Sequence, residues 1–246
     1  MLSLLLALAT PASAAPLDIT PWQRVLDTYV SAEGRVDYAG IASSKALDSF
    51  ITSLETATDP EPRPEKMAFW LNVYNALTVD LVADSMPLQS IRDLDGGKVW
   101  DTRRFRVAER DITLNEIEQQ ILRPMGDPRV HAALNCASLG CPPLGKTAFT
   151  ATNLDAELQA QARRWMATSG INVDMAGKKV KLNAIFDWYG GDFTGMNYKD
   201  IPGIAGKQEG AVHFCARYLP AEQADWLKKG GYTVSYAEYD WKLNIK

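Results

Sequence analysis

The sequence is poor in the residue types from which metal sites are commonly built. Its 246 residues contain only three cysteines and two histidines, and their spacing fits no closed zinc motif. It also lacks a Walker A loop, a G-x-G-x-x-G run and an H-E-x-x-H motif, which argues against the nucleotide-binding and zincin classes that carry them. We therefore predict no metal site and no cofactor.

Basic clusters and long apolar runs are also missing. Lys and Arg number 26 against 30 Asp and Glu, which gives a formal net charge of -4. With no basic block, a nucleic acid is not a predicted partner. Beyond the N-terminus no run of about 18 apolar residues could form a transmembrane helix. The ordinary share of hydrophobic residues, 46%, indicates a globular protein.

The N-terminus has the pattern of an export signal. An apolar stretch over Leu2–Ala9 is followed by the small residues Ala12, Ser13 and Ala14, as at an A-x-A cleavage site, although no Lys or Arg precedes it. We expect cleavage after residue 14, so that residues 1–14 are a signal peptide and residues 15–246 form a single globular domain. The predicted location is periplasmic or secreted, without stable membrane insertion after cleavage.

The order of elements predicts an α+β fold. Capping and proline patterns mark helix starts at Thr20 and Thr113, and alternation with a turn at Ala176-Gly177 marks a hairpin. Helices and strands follow each other irregularly, which favours a helix-rich single domain with a small sheet over a doubly wound sheet. This content is compatible with a papain-like or transglutaminase-like architecture.

The longest predicted helix, over residues 65–84, is apolar on nearly every side and should be buried. It carries Asn72 and Asn75, which share a face because they are three residues apart. A buried amide without partners costs about 1–3 kcal/mol, so these two either pin neighbouring backbone or line a site. We assign Asn72, Asn75 and the nearby Trp70 as candidate substrate-binding residues.

The segment from residue 127 to 142 concentrates reactive side chains. It holds His131, Asn135, Cys136 and Cys141 within eleven residues, and we take Asn135 as a further candidate substrate-binding residue. Neither a helix nor a strand places Cys136 on the face of His131, so a catalytic pair requires Cys136 to lie past the end of the element, in a turn. We also expect His131 to point toward the face that carries Asn72 and Asn75.

Two later clusters combine aromatic and acidic residues. The first, Phe186-Asp187-Trp188-Tyr189, precedes a Gly-Gly turn and Asp192, and from it we take Asp187 as a candidate binding residue. The second, Tyr239-Asp240-Trp241, lies in a C-terminal tail that we expect to dock onto the core.

These motifs together resemble the domain of unknown function family number 547. The resemblance rests on Phe69–Ala76, on the segment from Asp127 to Pro142 and on Tyr239-Asp240-Trp241, with further agreement at Ile117-Glu118 and Phe186–Tyr189. It implies a family fold over nearly the whole chain but no activity, because the family is named for lacking one. Departures from its pattern are Ala132, where an aromatic is usual, and Lys242, where a small hydroxyl residue is usual.

Two hypotheses about function follow. In the first, the protein is an exported ligand-binding or scaffold domain for a small molecule or peptide, and Cys136 and Cys141 form a structural disulfide. That bridge would contribute only about 2 kcal/mol, because the loop is short. In the second, Cys136 is the nucleophile of an acyl-transfer or amide-hydrolase enzyme, with His131 as its base and Glu118 as a weaker catalytic candidate. The hypotheses exclude each other, because a bridged Cys136 is no nucleophile. Metal binding by His131, Cys136 and Cys141, or thiol–disulfide exchange, is less well supported by the spacing.

Overall fold

The computed structural model describes residues 17–195 and 199–246. The predicted signal peptide, residues 1–14, lies outside the described residues. The N-terminal half is helical: α1 (Thr20–Tyr29), α2 (Tyr38–Ile41), α3 (Lys45–Leu54) and α4 (Arg63–Asp84) follow one another. The predicted helix start is confirmed near Thr20. The Ser44 hydroxyl caps α3 by accepting a hydrogen bond from the Leu47 amide.

Helix α4 forms the centre of the larger hydrophobic cluster. Its residues from Met67 to Val79 are all buried, as the sequence predicted. Helices α1, α2 and α3 pack around it, with Trp22 stacked on Phe50. A helix enclosed on every side can expose none of its side chains to solvent, so the polar groups it carries need partners inside the protein.

A short hairpin and an irregular helix cover one end of α4. After a 3-10 segment (Ile91–Gly97) and α5 (Val99–Thr102), strand β1 (Arg104–Val107) pairs antiparallel with β2 (Arg110–Thr113). Helix α6 (Leu114–Glu116) then begins at the predicted capping box, in which Thr113 and Glu116 satisfy each other's backbone amides. It continues as a π-helical segment over Ile117–Leu122 and a 3-10 turn over Arg123–Met125. Single-turn π segments inside helices are rare and are often found at functional sites.

The second half of the chain builds a smaller cluster on a three-stranded sheet. Helix α7 (Val130–Ala133) leads into a long loop and then α8 (Leu154–Trp165), which buries its predicted inner face. Strands β3 (Ile171–Asp174) and β4 (Lys179–Leu182) form the predicted hairpin, and β5 (Thr233–Tyr236) adds to β4 in parallel. Helices α9 (Ile185–Trp188), α10 (Gly206–Ala216) and α11 (Ala221–Lys229) complete it, with Trp165, Phe186 and Phe214 at its centre.

The C-terminal tail returns to the larger cluster, as predicted. The Leu139 and Gly140 amides donate to the carbonyls of Lys242 and Asp240, and the Val36 amide donates to the Asn244 carbonyl. The tail therefore joins the loop after α7 to the N-terminal helices. The α+β prediction is confirmed, while a papain-like architecture is not. Among the described residues, no helix has the length and apolar character that crossing a bilayer requires.

Gly210 fixes α10 against the 3-10 turn Gly190–Phe193. A Cβ at position 210 would overlap the Phe193 carbonyl group, lying 2.9 Å from its carbon, whereas a Cβ at Gly191 would meet nothing within 4 Å. We expect Gly210→Ala to destabilise the fold by about 1–3 kcal/mol, because the backbone must shift. Gly191→Ala should change stability by less than about 0.5 kcal/mol. Urea unfolding of both variants measures this, and equal midpoints would contradict the packing argument.

Candidate functional site

A cleft of about 350 Å³ opens between the two hydrophobic clusters. Its lining combines thiol, carboxyl, imidazole, amide and phenol groups with exposed tryptophan. The lining residues are Tyr74, Trp100, Asn115, Glu118, His131, Leu134, Cys136, Cys141, Ile185, Trp188, Tyr189, Tyr239 and Trp241. The three residues that sequence reasoning named as catalytic candidates, Cys136, His131 and Glu118, are therefore in one place.

Cys136 lies beyond the end of α7, in the turn position that the second hypothesis required. Its side chain is half-buried at the cleft wall, and its Sγ lies 2.9 Å from the Tyr239 hydroxyl and 3.3 Å from Ser138 Oγ. Hydrogen bonding from the Cys141 thiol and the Tyr239 hydroxyl stabilises the thiolate and lowers the pKa of Cys136 against the opposing effect of burial. Ala137, the next residue, has a left-handed φ of 61°. Such strain in a non-glycine residue is typical of functional sites.

Cys141 is the buried partner of Cys136. Its Sγ accepts a hydrogen bond of 2.9 Å from the Cys136 amide, which places the two cysteine side chains next to each other. Burial raises the pKa of Cys141 well above its usual value. All three cysteines are free thiols, so the predicted Cys136–Cys141 disulfide is not present in this structure. The prediction did identify two cysteines that are in contact.

The tail supplies a hydroxyl that sequence reasoning did not assign to the site. Ser138 Oγ donates to the Tyr239 hydroxyl at 2.8 Å, which leaves the Tyr239 proton for Cys136. Burial raises the pKa of Tyr239 well above its usual value, so it stays a donor. Gly140 makes this approach possible, because a Cβ there would lie 2.9 Å from the Tyr239 ring. Close approach to the tail therefore explains this glycine, and the left-handed residue of the loop is Ala137.

Glu118 occupies the opposite side of the cleft, on the π-helical segment. Its carboxyl group is in hydrogen-bonding contact with the hydroxyls of Tyr74 and Tyr189. Burial raises the pKa of Glu118, while nearby His131 and the tyrosine bonds oppose this. A half-buried carboxyl with a raised pKa in a cleft is a candidate for proton transfer.

His131 is bound by Asp192. Its Nε2 lies 2.8 Å from Asp192 Oδ2, and its ring packs on Tyr189 and Phe193. Asp192 also makes a two-point ion pair with Arg123, and these partners hold the pKa of Asp192 well below its usual range. The expectation that His131 points toward Asn72 and Asn75 is therefore wrong. Within the described residues, His131 and Cys136 both line the cleft but make no hydrogen bond with each other, so the direct dyad is not formed.

Asn72 and Asn75 are buried, as predicted, but they hold backbone rather than line the cleft. Asn75 donates to the Ala133 carbonyl at 2.9 Å and accepts from the Asn135 amide at 2.9 Å. Asn72 binds the carbonyl and amide of Phe149 in the same way, at 2.7 and 2.9 Å. Only Asn75 faces the His131 segment. Each side-chain amide thus makes two hydrogen bonds to the backbone of one neighbouring segment, which explains why an otherwise apolar helix carries it.

The other predicted binding residues also lie outside the cleft lining. Asn135 donates to the Pro142 carbonyl and accepts from the Ala137 amide, which closes the cysteine loop. Trp70 is fully buried and donates to Asp59 at 2.8 Å. Asp187 forms an exposed ion pair with Lys207 at 2.6 Å. Each of these three side chains therefore binds another group of the protein and does not line the cleft.

Several residues of the site were missed. Asp192 and Tyr239 lie in clusters that the sequence had marked, but nothing in the sequence distinguished Asp192 from Asp187. Arg123 and Asn115 belong to no motif that the sequence analysis identified. Within the described part of the chain, no group of three or more His, Cys, Asp and Glu side chains has the geometry to hold a metal ion.

Loss of the Asn75 amide should loosen the cysteine loop. We expect Asn75→Ala and Asn72→Ala each to destabilise the fold by at least about 2 kcal/mol, because each leaves two buried backbone groups without a partner. Only Asn75→Ala should also change the rate at which iodoacetamide alkylates Cys136, since Asn72 holds a different segment. Urea unfolding and alkylation kinetics measure the two effects. An Asn75→Ala loss below about 0.5 kcal/mol would contradict this role.

Tyr239→Phe should raise the pKa of Cys136. The phenol donates to the thiolate, and one bond to a charged group is worth about one pKa unit or more. The alkylation rate below that pKa should fall, while the rate at alkaline pH, where the thiol is ionised in both proteins, should stay similar. Tyr232→Phe is the control, because Tyr232 donates to the Leu227 carbonyl far from the cleft. An unchanged midpoint of the rate–pH profile would refute the bond.

Comparison with known proteins finds a similarity to one protein family and indicates no activity. Residues 59–166 match the family model described as "Protein of unknown function, DUF547". The match includes α4, Glu118, His131 and both cleft cysteines, and it ends before Asp192 and Tyr239. Neither the curated proteins nor the solved structures contain a match to the chain. Over residues 59–166, the chain is therefore similar to the DUF547 family of proteins of unknown function, as its sequence motifs predicted.

Proposed function

We propose that the protein is a cysteine-dependent acyl-transfer enzyme or amide hydrolase in which Cys136 is the nucleophile. The observation that carries the proposal is the position of Cys136 Sγ, which lies at the wall of the cleft with the Tyr239 hydroxyl 2.9 Å away. A thiolate stabilised by donors and open to a cleft is the requirement for nucleophilic attack. This keeps the nucleophile of the second sequence hypothesis and replaces its base.

The base that fits the cleft is Glu118. It lies close enough to Cys136 for its charge to affect the thiol, whereas the His131 imidazole is bound to Asp192. Asp192 and Arg123 orient His131, and His131 favours the charged form of Glu118. We therefore assign Glu118 as acid and base and treat His131 and Asp192 as positioning residues.

The reaction then has two halves. The Cys136 thiolate attacks a carbonyl carbon, and the carbonyl electron pair moves to its oxygen, where the Asn115 amide of the cleft can donate. Collapse of this intermediate forms a thioester and expels an amine or alcohol, which takes the proton of Glu118. The ionised Glu118 then removes a proton from water, which attacks the thioester and releases the acid and the thiolate.

The mouth of the cleft suits an acyl group with an apolar or ring-containing part. Trp188 is 49% exposed there, and its ring stacks on Trp241 at 5.9 Å while Tyr239 packs at 4.9 Å. Such a rigid aromatic surface supplies contact area at low entropic cost. Among the described residues, Glu118 is the only carboxyl group of the lining, and no lysine or arginine belongs to it. A neutral acyl group is therefore favoured over an anionic one.

A pair of chromogenic probes tests this assignment. With a p-nitrophenyl ester, the protein should release one p-nitrophenolate per chain in a burst as Cys136 is acylated. Glu118→Gln should keep the burst, because this leaving group needs no proton. Turnover of the matching p-nitroanilide should fall by about 10²-fold to 10⁴-fold in Glu118→Gln, because an amine leaving group requires an acid.

The controls separate enzyme from binding domain. Cys136→Ser should abolish the burst, and Cys215→Ser should not, because Cys215 is buried in α10 away from the cleft. A burst that survives in Cys136→Ser would refute the nucleophile. No burst in the reduced wild-type protein would favour the first sequence hypothesis, a domain that binds a ligand in the cleft without chemistry.

A further inference from the structure

The relation between Cys136 and Cys141 points beyond acyl transfer. Both cysteines line the cleft, but Cys136 is half-buried whereas Cys141 is buried. The Cys136 amide donates to Cys141 Sγ at 2.9 Å, and the Tyr239 hydroxyl lies 2.9 Å from Cys136 Sγ. Cys136 is thus the sulfur more open to small molecules, and Cys141 is the more enclosed one.

The backbone holds the two sulfurs in this relation. The Cys141 amide donates to the Ser138 carbonyl at 3.2 Å, so the chain reverses between the cysteines. Asn135 joins the two ends of the loop by its bond to the Pro142 carbonyl. Because Cys141 Sγ already lies 2.9 Å from the Cys136 amide nitrogen, rotation of the two side chains within this loop can bring the sulfurs to bonding distance.

We propose that Cys136 and Cys141 form a hydroperoxide-reactive site, in which Cys136 is oxidised and Cys141 resolves the product to a disulfide. This goes beyond the proposed function but uses the same thiol. It also reconciles the two sequence hypotheses, since a free Cys136 and a bridged Cys136 are then two redox states of one protein.

The chemistry balances with one hydroperoxide, ROOH, as oxidant. The Cys136 thiolate attacks the terminal peroxide oxygen, the O–O bond breaks, and the alkoxide takes a proton to leave as ROH. The sulfur has then lost two electrons and is a sulfenic acid. The Cys141 sulfur attacks it, the S–O bond breaks, and the hydroxyl leaves as water with the Cys141 proton. Two thiols and one hydroperoxide give a disulfide, one alcohol and one water.

The differing environments of the two thiols assign these roles. The donors around Cys136 lower its pKa, which favours the thiolate that attacks peroxide, and burial raises the pKa of Cys141. Cys215, on α10, is also buried, and burial raises its pKa, but it lies inside the smaller hydrophobic cluster of the second half of the chain. It cannot reach either sulfur, so it serves as an internal reference thiol.

Thiol counting on the full chain tests the proposal. The reduced protein has three free thiols, and one equivalent of hydrogen peroxide should leave one, Cys215. A tryptic digest reports the pairing directly, because no Lys or Arg separates the two cysteines and both lie in the peptide Val130–Lys146. That peptide should lose the mass of two hydrogen atoms, and dithiothreitol should restore it.

Variants distinguish the steps. Cys141→Ser should accumulate sulfenic acid at Cys136, which dimedone traps, whereas wild type should give little adduct and Cys136→Ser none. Cys215→Ser should form the disulfide as wild type does. Equal dimedone labelling of wild type and Cys141→Ser would overturn the proposal, as would a peptide Val130–Lys146 of unchanged mass after peroxide.

These outcomes are independent of the proposed enzyme. If the acyl-transfer assignment fails, no ester burst occurs in any redox state, but the thiol count still reports the disulfide. If both hold, peroxide should abolish the burst and dithiothreitol should recover it. A burst that persists in a protein whose thiol count has fallen to one would show that Cys136 is not the nucleophile.

Discussion

Two hydrogen bonds between the Asn75 side chain and the backbone on either side of Leu134 hold the site in place. Asn75 belongs to the most enclosed helix of the described structure, so its position is fixed by packing. Its amide binds the last residue of α7 and the residue before Cys136. The packed helix α4 thereby fixes the position at which the loop that carries Cys136 begins. Buried asparagines repeat this function around the loop, because Asn135, Asn183 and Asn244 each bind backbone or one another there.

The C-terminal tail also positions the loop that carries Cys136. Tyr239 is 103 residues from Cys136 along the chain, yet its hydroxyl is a direct partner of the thiol. Backbone bonds from Leu139 and Gly140 to the tail bring it there, and the absence of a side chain at Gly140 leaves room for the ring. The thiol's acidity therefore depends on whether a distant segment docks, and a protein with a displaced tail would have a less ionised Cys136.

The two walls of the cleft are electrostatically distinct. On one side, hydroxyl and thiol donors favour a negative sulfur. On the other, burial disfavours the negative form of Glu118, while His131 and the tyrosines limit that effect. Groups whose environments shift their pKa values in opposite directions can hold a nucleophile and a proton donor at the same pH. This division, with the second thiol behind the first, is what makes both acyl transfer and peroxide reduction reasonable chemistry for one cleft.

The sequence by itself determined several elements and the segment that carries His131 and the two cysteines. The apolar α4, the capping box at Thr113 and the hairpin at Ala176-Gly177 follow from local periodicity and turn chemistry, which need no distant contact. The concentration of His131, Cys136 and Cys141 was visible because those residues are neighbours in the chain. Only the tertiary structure decided their relations. Whether His131 binds Cys136 or Asp192, and whether Asn72 meets a ligand or Phe149, depends on contacts between residues 61 to 77 positions apart. Local pattern carries no information on such contacts, because side-chain direction is set by the packing of the elements against one another.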